Sequence, residues 1–271
     1  MNMNAGDRGG FTLVELIVVT VLGALVVAAS LQILITNQRT YTAQTAQIQG
    51  QQNTRAALDI LTAEIREISP EGGDILEMGQ TSVTVRVMRK MGVSCLVTTD
   101  DPPVIRAIVV GDSFQARDSV FIFADNNEST AKDDDWISAE VTEVHDDVTC
   151  GTNKANELKF GGQSAVFTAD SVRLGGPIRS YLRYTYGLFK LGDGRYYLAR
   201  RQPGKDPVPV VGPLKATNGL EFTYLDDENN KTTIPTEVRQ IAIRIRTDSP
   251  VVNSLGEQVS DSISAWVFTR N

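Results

Sequence analysis

The longest hydrophobic run of the chain lies near its start, from Phe11 to Leu31. It is long enough to cross the hydrocarbon core of a bilayer as a helix, which takes about 20 residues. It contains no Lys, Arg, Asp or Pro, and Glu15 is its only charged residue. A carboxylate there costs about 2.5–3.5 kcal/mol on insertion scales unless it is paired, so Glu15 is read as functional. A cut between Gly10 and Phe11 would free an amino group four residues before Glu15 and supply that partner.

Beyond Leu31 the pattern predicts that the same helix continues. Residues 32–52 are polar and rich in Gln, Thr and Ala, and no proline occurs before Pro70. The apolar positions of the last turns are Leu58, Leu61, Ile65 and Ile68. Their spacings of three and four place them on one helix face, which we expect to pack in a core. Taken as continuous to Ser69, the helix would be roughly 90 Å long.

From Gln80 onward the hydrophobic period changes to two, which is typical of strands. The segments with this pattern are 81–87, 104–110, 119–124, 137–144, 157–160, 180–188, 195–201, 220–225, 238–246 and 262–269. The stretch Gly192-Asp193-Gly194 predicts a hairpin turn. No second long helix is indicated. The sequence therefore predicts an α+β fold, with the long N-terminal helix packed on a mostly antiparallel β-sheet head and with strands and loops inserted around residues 90–175.

Composition limits the classes of function. The 271 residues carry a formal charge of −7, which argues against a general nucleic-acid-binding surface. The 41% hydrophobic content allows the part beyond the membrane helix to bury a core. The only two cysteines are Cys95 and Cys150. Since the topology places them outside the cytoplasm, we expect a disulfide that closes a loop of about 55 residues. Two separate buried thiols are the alternative.

Candidate catalytic and metal chemistry is sparse. His145 is the only histidine, and Cys150 lies five residues later. Because a lone histidine among strand residues is more often structural or exposed than catalytic, we expect no catalytic residues and no enzyme. No cysteine and histidine set has zinc spacing. The acidic clusters at 133–135, 146–147 and 226–228 match no EF-hand and are expected to be solvated loops, although Ca²⁺ at one of them stays open. We therefore expect no metal and no cofactor, with Ca²⁺ as the one alternative. The arginines between 173 and 201 are expected to form a salt-bridged surface rather than a DNA-binding patch.

The segment Gly10-Phe11-Thr12-Leu13-Val14-Glu15-Leu16 resembles the processing signal of type IV pilins and of the pseudopilins of type II secretion systems. The resemblance implies cleavage after Gly10 by a prepilin peptidase, N-methylation of Phe11 and a subunit-assembly role for Glu15. It implies a leader at 1–10, a transmembrane or filament-core helix at 11–35, an amphipathic helix at 36–69 and a head at 70–271. An ordinary signal anchor is the alternative, but Leu31-Gln32-Ile33 offers no small-x-small cleavage site.

The same resemblance implies partners and a location. The partners would be the prepilin peptidase, other major and minor pilins or pseudopilins, and an inner-membrane assembly platform. The chain would cross the cytoplasmic (inner) membrane once, with its head in the periplasm or in an extracellular filament. Nucleic acid is not an expected partner.

A narrower resemblance lies in the second half of the chain. Its segments are Tyr181-Leu182-Arg183-Tyr184, Leu198-Ala199-Arg200-Arg201, Gly219 to Asp226 and Ile234 to Arg239, together with Ala57-Leu58-Asp59 in the helix. Their order is similar to that of J-type minor pseudopilins and W-type minor pilins, which implies a minor subunit at the tip or at initiation. A tip adhesin, a DNA- or substrate-binding module, and a membrane-anchored enzyme that uses His145 are the alternatives.

Overall fold

The computed structural model of the protein describes residues 12–98, 102–125, 134–161, 172–252 and 256–270. Its helix α1 spans Leu13–Arg66, and a 3-10 turn spans Pro235–Glu237. The strands are β1 Ile75–Met78, β2 Ser82–Thr98, β3 Val104–Val110, β4 Ser119–Asp125, β5 Asp134–Cys150, β6 Asn153–Phe160, β7 Pro177–Lys190, β8 Tyr196–Arg201, β9 Val208–Leu214, β10 Leu220–Leu225, β11 Gln240–Val252 and β12 Gln258–Phe268. This architecture confirms the predicted α+β class.

The chain divides into two compact units. Of the described residues, those within 12–52 and 248–261 form the smaller unit, and those within 53–247 and 262–270 form the larger. In the smaller unit, Thr40, Ala43, Gln44 and Gln47 of α1 line a small polar groove with Gln258, Val259 and Ser260 of β12.

In the larger unit, one face of the end of α1 packs in a core as its apolar spacing predicts. Leu61 and Ile65 are buried, and Leu58 is half-buried beside them. The helix ends at Arg66 rather than at the predicted Ser69, and Ile68, two residues beyond this end, is buried in the same core. Thr54 and Ala57 extend the same buried stripe toward the N-terminus. The strand residues of this core are Val83, Val85, Val87, Tyr184, Tyr186, Leu198, Phe222, Tyr224, Ile241, Ile243 and Ile245. Burial of this stripe, rather than helix propensity alone, therefore holds the last turns of α1 against the sheet.

Within the described residues, the larger sheet has nine strands in the order β1-β2-β3-β6-β5-β4-β7-β8-β9, and β2 also pairs with β7. The second pairing closes six strands into an antiparallel barrel, β2-β3-β6-β5-β4-β7. Its separate core contains Ile105, Ala107, Phe114, Val120, Ile122, Val141, Leu158, Phe160 and Ile178. The strands β3 to β6 lie in the region where the sequence indicates inserted strands, and closure removes the free edges that an open insertion would have.

The barrel carries the two cysteines of the chain. The pairing of β2 with β3 shifts register between Ser94 and Leu96, and Cys95 is the extra residue at this bulge. Ser94 is buried, and its hydroxyl donates to the carbonyl of Arg173 at 2.7 Å. A disulfide joins Cys95 to Cys150, the last residue of β5, with their Cα atoms 6.2 Å apart. It therefore fixes the tip of the β5–β6 hairpin to β2.

A second sheet of three strands, β10-β11-β12, completes the larger unit. Residues of β10 and β11 pair in register, for example Phe222 with Ile243. Both residues are buried, as is Val267 of β12. The inner face of this sheet thus joins the core that covers the end of α1.

Candidate functional site

The first turn of α1 contains a reciprocal pair of hydrogen-bonded residues. The backbone N–H of Thr12 donates to Glu15 Oε2 at 3.0 Å, and its hydroxyl donates to the same oxygen at 3.1 Å. The backbone N–H of Glu15 donates to Thr12 Oγ1 at 3.2 Å. This arrangement is a capping box, which satisfies N–H groups that have no partner inside the helix. Within a single chain, the carboxylate of Glu15 is thus held by Thr12.

The following turns are apolar and exposed. Leu25, for example, is 62% exposed, and no residue of the most apolar 18-residue window of α1 is buried. By length and composition, α1 can cross a membrane. The hydroxyl of Thr20 donates to the carbonyl of Leu16 at 3.0 Å, and that of Ser30 to the carbonyl of Val26 at 2.8 Å. Because the helix itself satisfies these hydroxyls, they place no unpaired polar group in an apolar environment.

Small residues interrupt the apolar surface of this segment. Gly23 has open space where a Cβ would lie, and Ala24, Ala28 and Ala29 follow it. In a membrane, small residues let helix backbones approach closely and pack by van der Waals contact. This segment of α1 is therefore suited to bundling with other helices.

The predicted site residues do not form one cluster. Gly10 and Phe11, the predicted cleavage and methylation residues, lie outside the described residues, whereas Glu15 lies in the first turn of α1. Cys95 and Cys150 are joined in the barrel. His145 is 44% exposed and lies 3.1 Å from Glu143, with its Nε2 facing Glu143 Oε1.

The described residues contain no group of three His, Cys, Asp or Glu side chains that could hold a metal ion. In the acidic cluster 226–228, which was a candidate for Ca²⁺, one carboxylate accepts hydrogen bonds from the backbone of its own turn. Asp226 Oδ1 accepts the backbone N–H groups of Glu228 and Asn230, at 3.0 and 2.8 Å. Asp146 Oδ1 accepts a hydrogen bond from Asn156 Nδ2 at 2.7 Å. Asp133 lies outside the described residues.

Three of the arginines between 173 and 201 contact aromatic rings or a carboxylate. Arg179 lies 4.2 Å from the ring centre of Trp136, and Arg200 lies 5.3 Å from that of Tyr184. Arg173 is 3.5 Å from Asp125. These contacts are favourable, because a ring quadrupole or a carboxylate attracts the guanidinium charge.

One buried carboxylate lies beside Arg179. Asp74 accepts the backbone N–H of Ser69 at 2.9 Å and lies 3.9 Å from Arg179 Nη2. Burial raises the pKa of the Asp74 carboxyl, while the Ser69 hydrogen bond, Arg179 and Arg86 partly offset that rise. Burial lowers the pKa of Arg179, although Asp74 opposes that change. These groups join the segment after α1 to the outside of the barrel, and we assign them a structural role.

A second polar contact joins α1 to the sheet. Arg89 Nη2 lies 3.4 Å from Glu64 Oε1, and the Arg89 guanidinium lies 5.2 Å from the ring centre of Tyr184. The phenol of Tyr186 is buried beside Glu64, and burial and this carboxylate raise the pKa of Tyr186. This cluster fixes the orientation of the last turns of α1 on β2 and β7.

Sequence reasoning missed the part that Thr12 plays. The signal was present, because Thr-x-x-Glu just before an apolar run is the sequence signature of a capping box. The apolar surroundings of Glu15 predict only an amino-group partner and not this local one.

Comparison with known families gives one match. The family described as the prokaryotic N-terminal methylation motif matches residues 6–31. No characterised protein matches the chain. No solved structure matches it either. The match covers the predicted cleavage site, Glu15 and the apolar run, and it indicates a precursor of the type IV pilin or pseudopilin kind, anchored by an apolar N-terminal helix. Such a motif implies processing by a prepilin peptidase and assembly with other pilins.

Proposed function

We propose that this protein is a minor, pilin-like subunit, at the tip or at initiation, of a type II secretion pseudopilus or a type IV pilus. The observation that carries the proposal is the methylation motif at residues 6–31 on a helix whose apolar surface is exposed. The protein acts as a building block rather than as an enzyme. Its anchor lies in the cytoplasmic membrane, its head lies in the periplasm or on the filament, and an inner-membrane platform assembles it.

Assembly follows from the charges near the processing site. Cleavage after Gly10 frees an amino group on Phe11, which the peptidase then methylates. Glu15 of one subunit pairs with this amine of another, which offsets the cost of each charge in lipid. Because Thr12 holds the carboxylate in the single chain, Glu15 keeps a hydrogen-bonded position until the amine arrives. The small residues from Gly23 to Ala29 then let neighbouring helices pack closely.

The size of the head supports a minor role. The larger unit contains a helix-covered core and a six-stranded barrel, of which β3 to β6 lie in the region of the predicted insertion. In a shaft of many copies, each head must fit against its neighbours, and a bulky insertion crowds them. At a tip or an initiating complex, few copies are present and this constraint is relaxed.

Intact-mass spectrometry of the membrane-extracted protein tests the proposal, with and without a co-expressed prepilin peptidase. We expect a mass that corresponds to a chain beginning at methylated Phe11 only when the peptidase is present. A Gly10→Leu variant should stay uncut under both conditions, while a Gly9→Ala variant serves as the matched control. If the wild-type chain stays uncut with active peptidase, α1 is an ordinary membrane anchor, which contradicts the proposal.

A further inference from the structure

The outer edge of β12 is a free strand edge in the larger unit. Among the described residues, no strand pairs with it, since the order of its sheet is β10-β11-β12. The other edges of the two sheets are short or protected. Strand β1 has four residues, and β9 carries Pro209 and Pro213. The edge of β10 is covered, because the N–H of Phe222 donates to the carbonyl of Gln80 at 2.8 Å. Just past the end of β12, the outward N–H of Arg270 donates to the carbonyl of Ile68 at 2.9 Å, so the free part of this edge is the stretch before it. Proteins usually protect long edges, so this free part calls for a partner.

The direction of the backbone groups on β12 can be read from one hydrogen bond. The N–H of Thr269 donates to the carbonyl of Arg239 at 3.1 Å and so points toward β11. N–H groups alternate in direction along a strand, so those of Phe268, Trp266 and Ser264 point away from β11. The regular alternation of exposure along β12 shows no bulge in this stretch. These residues therefore offer donors and acceptors to an added strand.

The side chains of the same stretch are uncharged and partly aromatic. Residues 262–268 contain no Asp, Glu, Lys or Arg. Trp266 and Phe268 are 72% and 69% exposed and project from the outer face of the sheet. An uncharged edge with exposed aromatic side chains buries apolar area on pairing without desolvating a charge.

Charge on the outer face specifies the partner further. Glu221 faces two arginines, Arg244 at 3.6 Å and Arg246 at 3.3 Å. Arg244 and Lys231 line a cleft of about 680 Å³ together with Trp266. The charged residues that line this cleft are two cations, Lys231 and Arg244, and one carboxylate, Glu221, so positive charge exceeds negative charge in its lining.

We infer that β12 receives an added β-strand from another filament subunit, apolar at alternate positions and bearing one carboxylate on its outer face. The stretch 262–268 would accept about seven residues, roughly 23 Å of strand. Main-chain hydrogen bonds to Ser264, Trp266 and Phe268 hold the strand, and its carboxylate faces Arg244. The inference rests on the proposed function for the source of the strand, but the pairing itself is a property of the single chain.

The test measures binding of a labelled peptide to the full-length protein in detergent, by fluorescence anisotropy. The probe is a synthetic seven-residue peptide that alternates valine and threonine, with one aspartate in place of a threonine. A second peptide carries lysine at that position. The blocking variant is Ser264→Pro, which removes an outward N–H without removing a bond to β11. Ser264→Ala is the matched control, since it keeps the N–H.

We expect the aspartate peptide to bind the wild type and Ser264→Ala equally, and Ser264→Pro about tenfold more weakly. The lysine peptide should bind the wild type more weakly than the aspartate peptide. Equal binding to Ser264→Pro, no binding to the wild type, or no preference for aspartate would each overturn the inference. If Ser264→Pro loses its fold by circular dichroism, Trp266→Ser decides instead, and unchanged binding to that variant overturns the inference.

This experiment separates the inference from the proposed function. Peptide binding needs neither processing after Gly10 nor assembly through Glu15. A chain that stays uncut but binds the aspartate peptide would contradict the proposed function and keep the strand site. A chain that is processed after Gly10 but binds no peptide would contradict the strand site and keep the proposed function.

Discussion

Thr12 and Glu15 hold each other in a reciprocal capping box at the start of α1, through three hydrogen bonds of 3.0–3.2 Å. The proposed assembly step needs the same carboxylate to meet the amine of a neighbouring subunit. In the proposed assembly, Thr12 and the amine both bind Glu15, so the roles of Thr12 and Glu15 can be tested separately.

Removing the carboxylate should uncouple processing from assembly. We expect Glu15→Ala to be folded and cleaved after Gly10 but to be incorporated poorly into filaments. The reason is that the amine of Phe11 then has no counter-charge in lipid. Immunoblots of sheared filament fractions measure incorporation, and intact mass measures cleavage. Normal incorporation of Glu15→Ala would contradict the proposed subunit-assembly role of Glu15.

Removing the cap should have a smaller effect of a different kind. We expect Thr12→Ala to fray the first turn of α1 and to reduce incorporation partially, because Glu15 keeps its charge but loses its fixed position. Thr12→Ser keeps the hydroxyl and should restore wild-type incorporation. Equal defects in the alanine and serine variants would show that the methyl group of Thr12, rather than its hydroxyl, matters.

The disulfide should stabilise the barrel mainly through the unfolded chain. It closes a loop with a sequence separation of 55 residues. On a chain-entropy estimate, a loop of that length contributes about 4 kcal/mol to the free energy of unfolding. We expect a reductant to lower the urea midpoint of the wild type. The double variant Cys95→Ala and Cys150→Ala should start at a lower midpoint and not respond to reductant.

How far the sequence could predict this fold depends on whether the information is local. The apolar run after Phe11 and the spacing of Leu61, Ile65 and Ile68 are local patterns, and they predicted α1 and its buried face. Barrel closure needs β2 to pair with β7, for example Ser82 with Gly187. Two-residue periodicity gives each strand a face but no partner, so a pairing across about a hundred residues of chain is not encoded in it.

Two strands were also missed for local reasons. Strand β1 has only four residues, too few to show alternation clearly. Strand β9 contains Pro209 and Pro213, which count against a strand in sequence reading but are tolerated at a sheet edge. The candidate site shows the same division. Glu15 is a candidate because of its charge in an apolar run, which the sequence shows, whereas the free edge of β12 is visible only in the strand order.

The buried stripe of α1 offers a direct test of the packing. Leu61 is fully buried, and Leu58 on the same helix is half-buried. We expect Leu61→Ala to lower the free energy of unfolding of the head by about 2–5 kcal/mol, because it leaves a cavity in the core. Leu58→Ala should cost about 1 kcal/mol, since solvent already reaches part of that side chain. Urea unfolding followed by near-UV circular dichroism measures both, and equal losses would contradict the assigned helix face.

Tyr186 should make the head sensitive to alkaline pH. Burial, together with Glu64, raises the pKa of its phenol above the ordinary value of 10.0. A group whose pKa is raised on folding contributes stability that is fully present below its unfolded pKa. That contribution is lost as pH rises, because the unfolded chain then releases the proton more readily than the folded one. We therefore expect the free energy of unfolding of the wild type to fall above about pH 10.

The matched variant is Tyr186→Phe, which keeps the ring but has no proton to release. Tyr224 is also buried with a raised pKa, and it is present in both proteins, so it cancels in the comparison. Urea unfolding from pH 8 to 11 should show a smaller alkaline loss for Tyr186→Phe than for the wild type. If the free energies of unfolding of the two proteins fall in parallel with pH, the Tyr186 phenol ionises as freely in the folded head as in the unfolded chain. The contact of α1 with β7 would then be open to water, contrary to its burial beside Glu64.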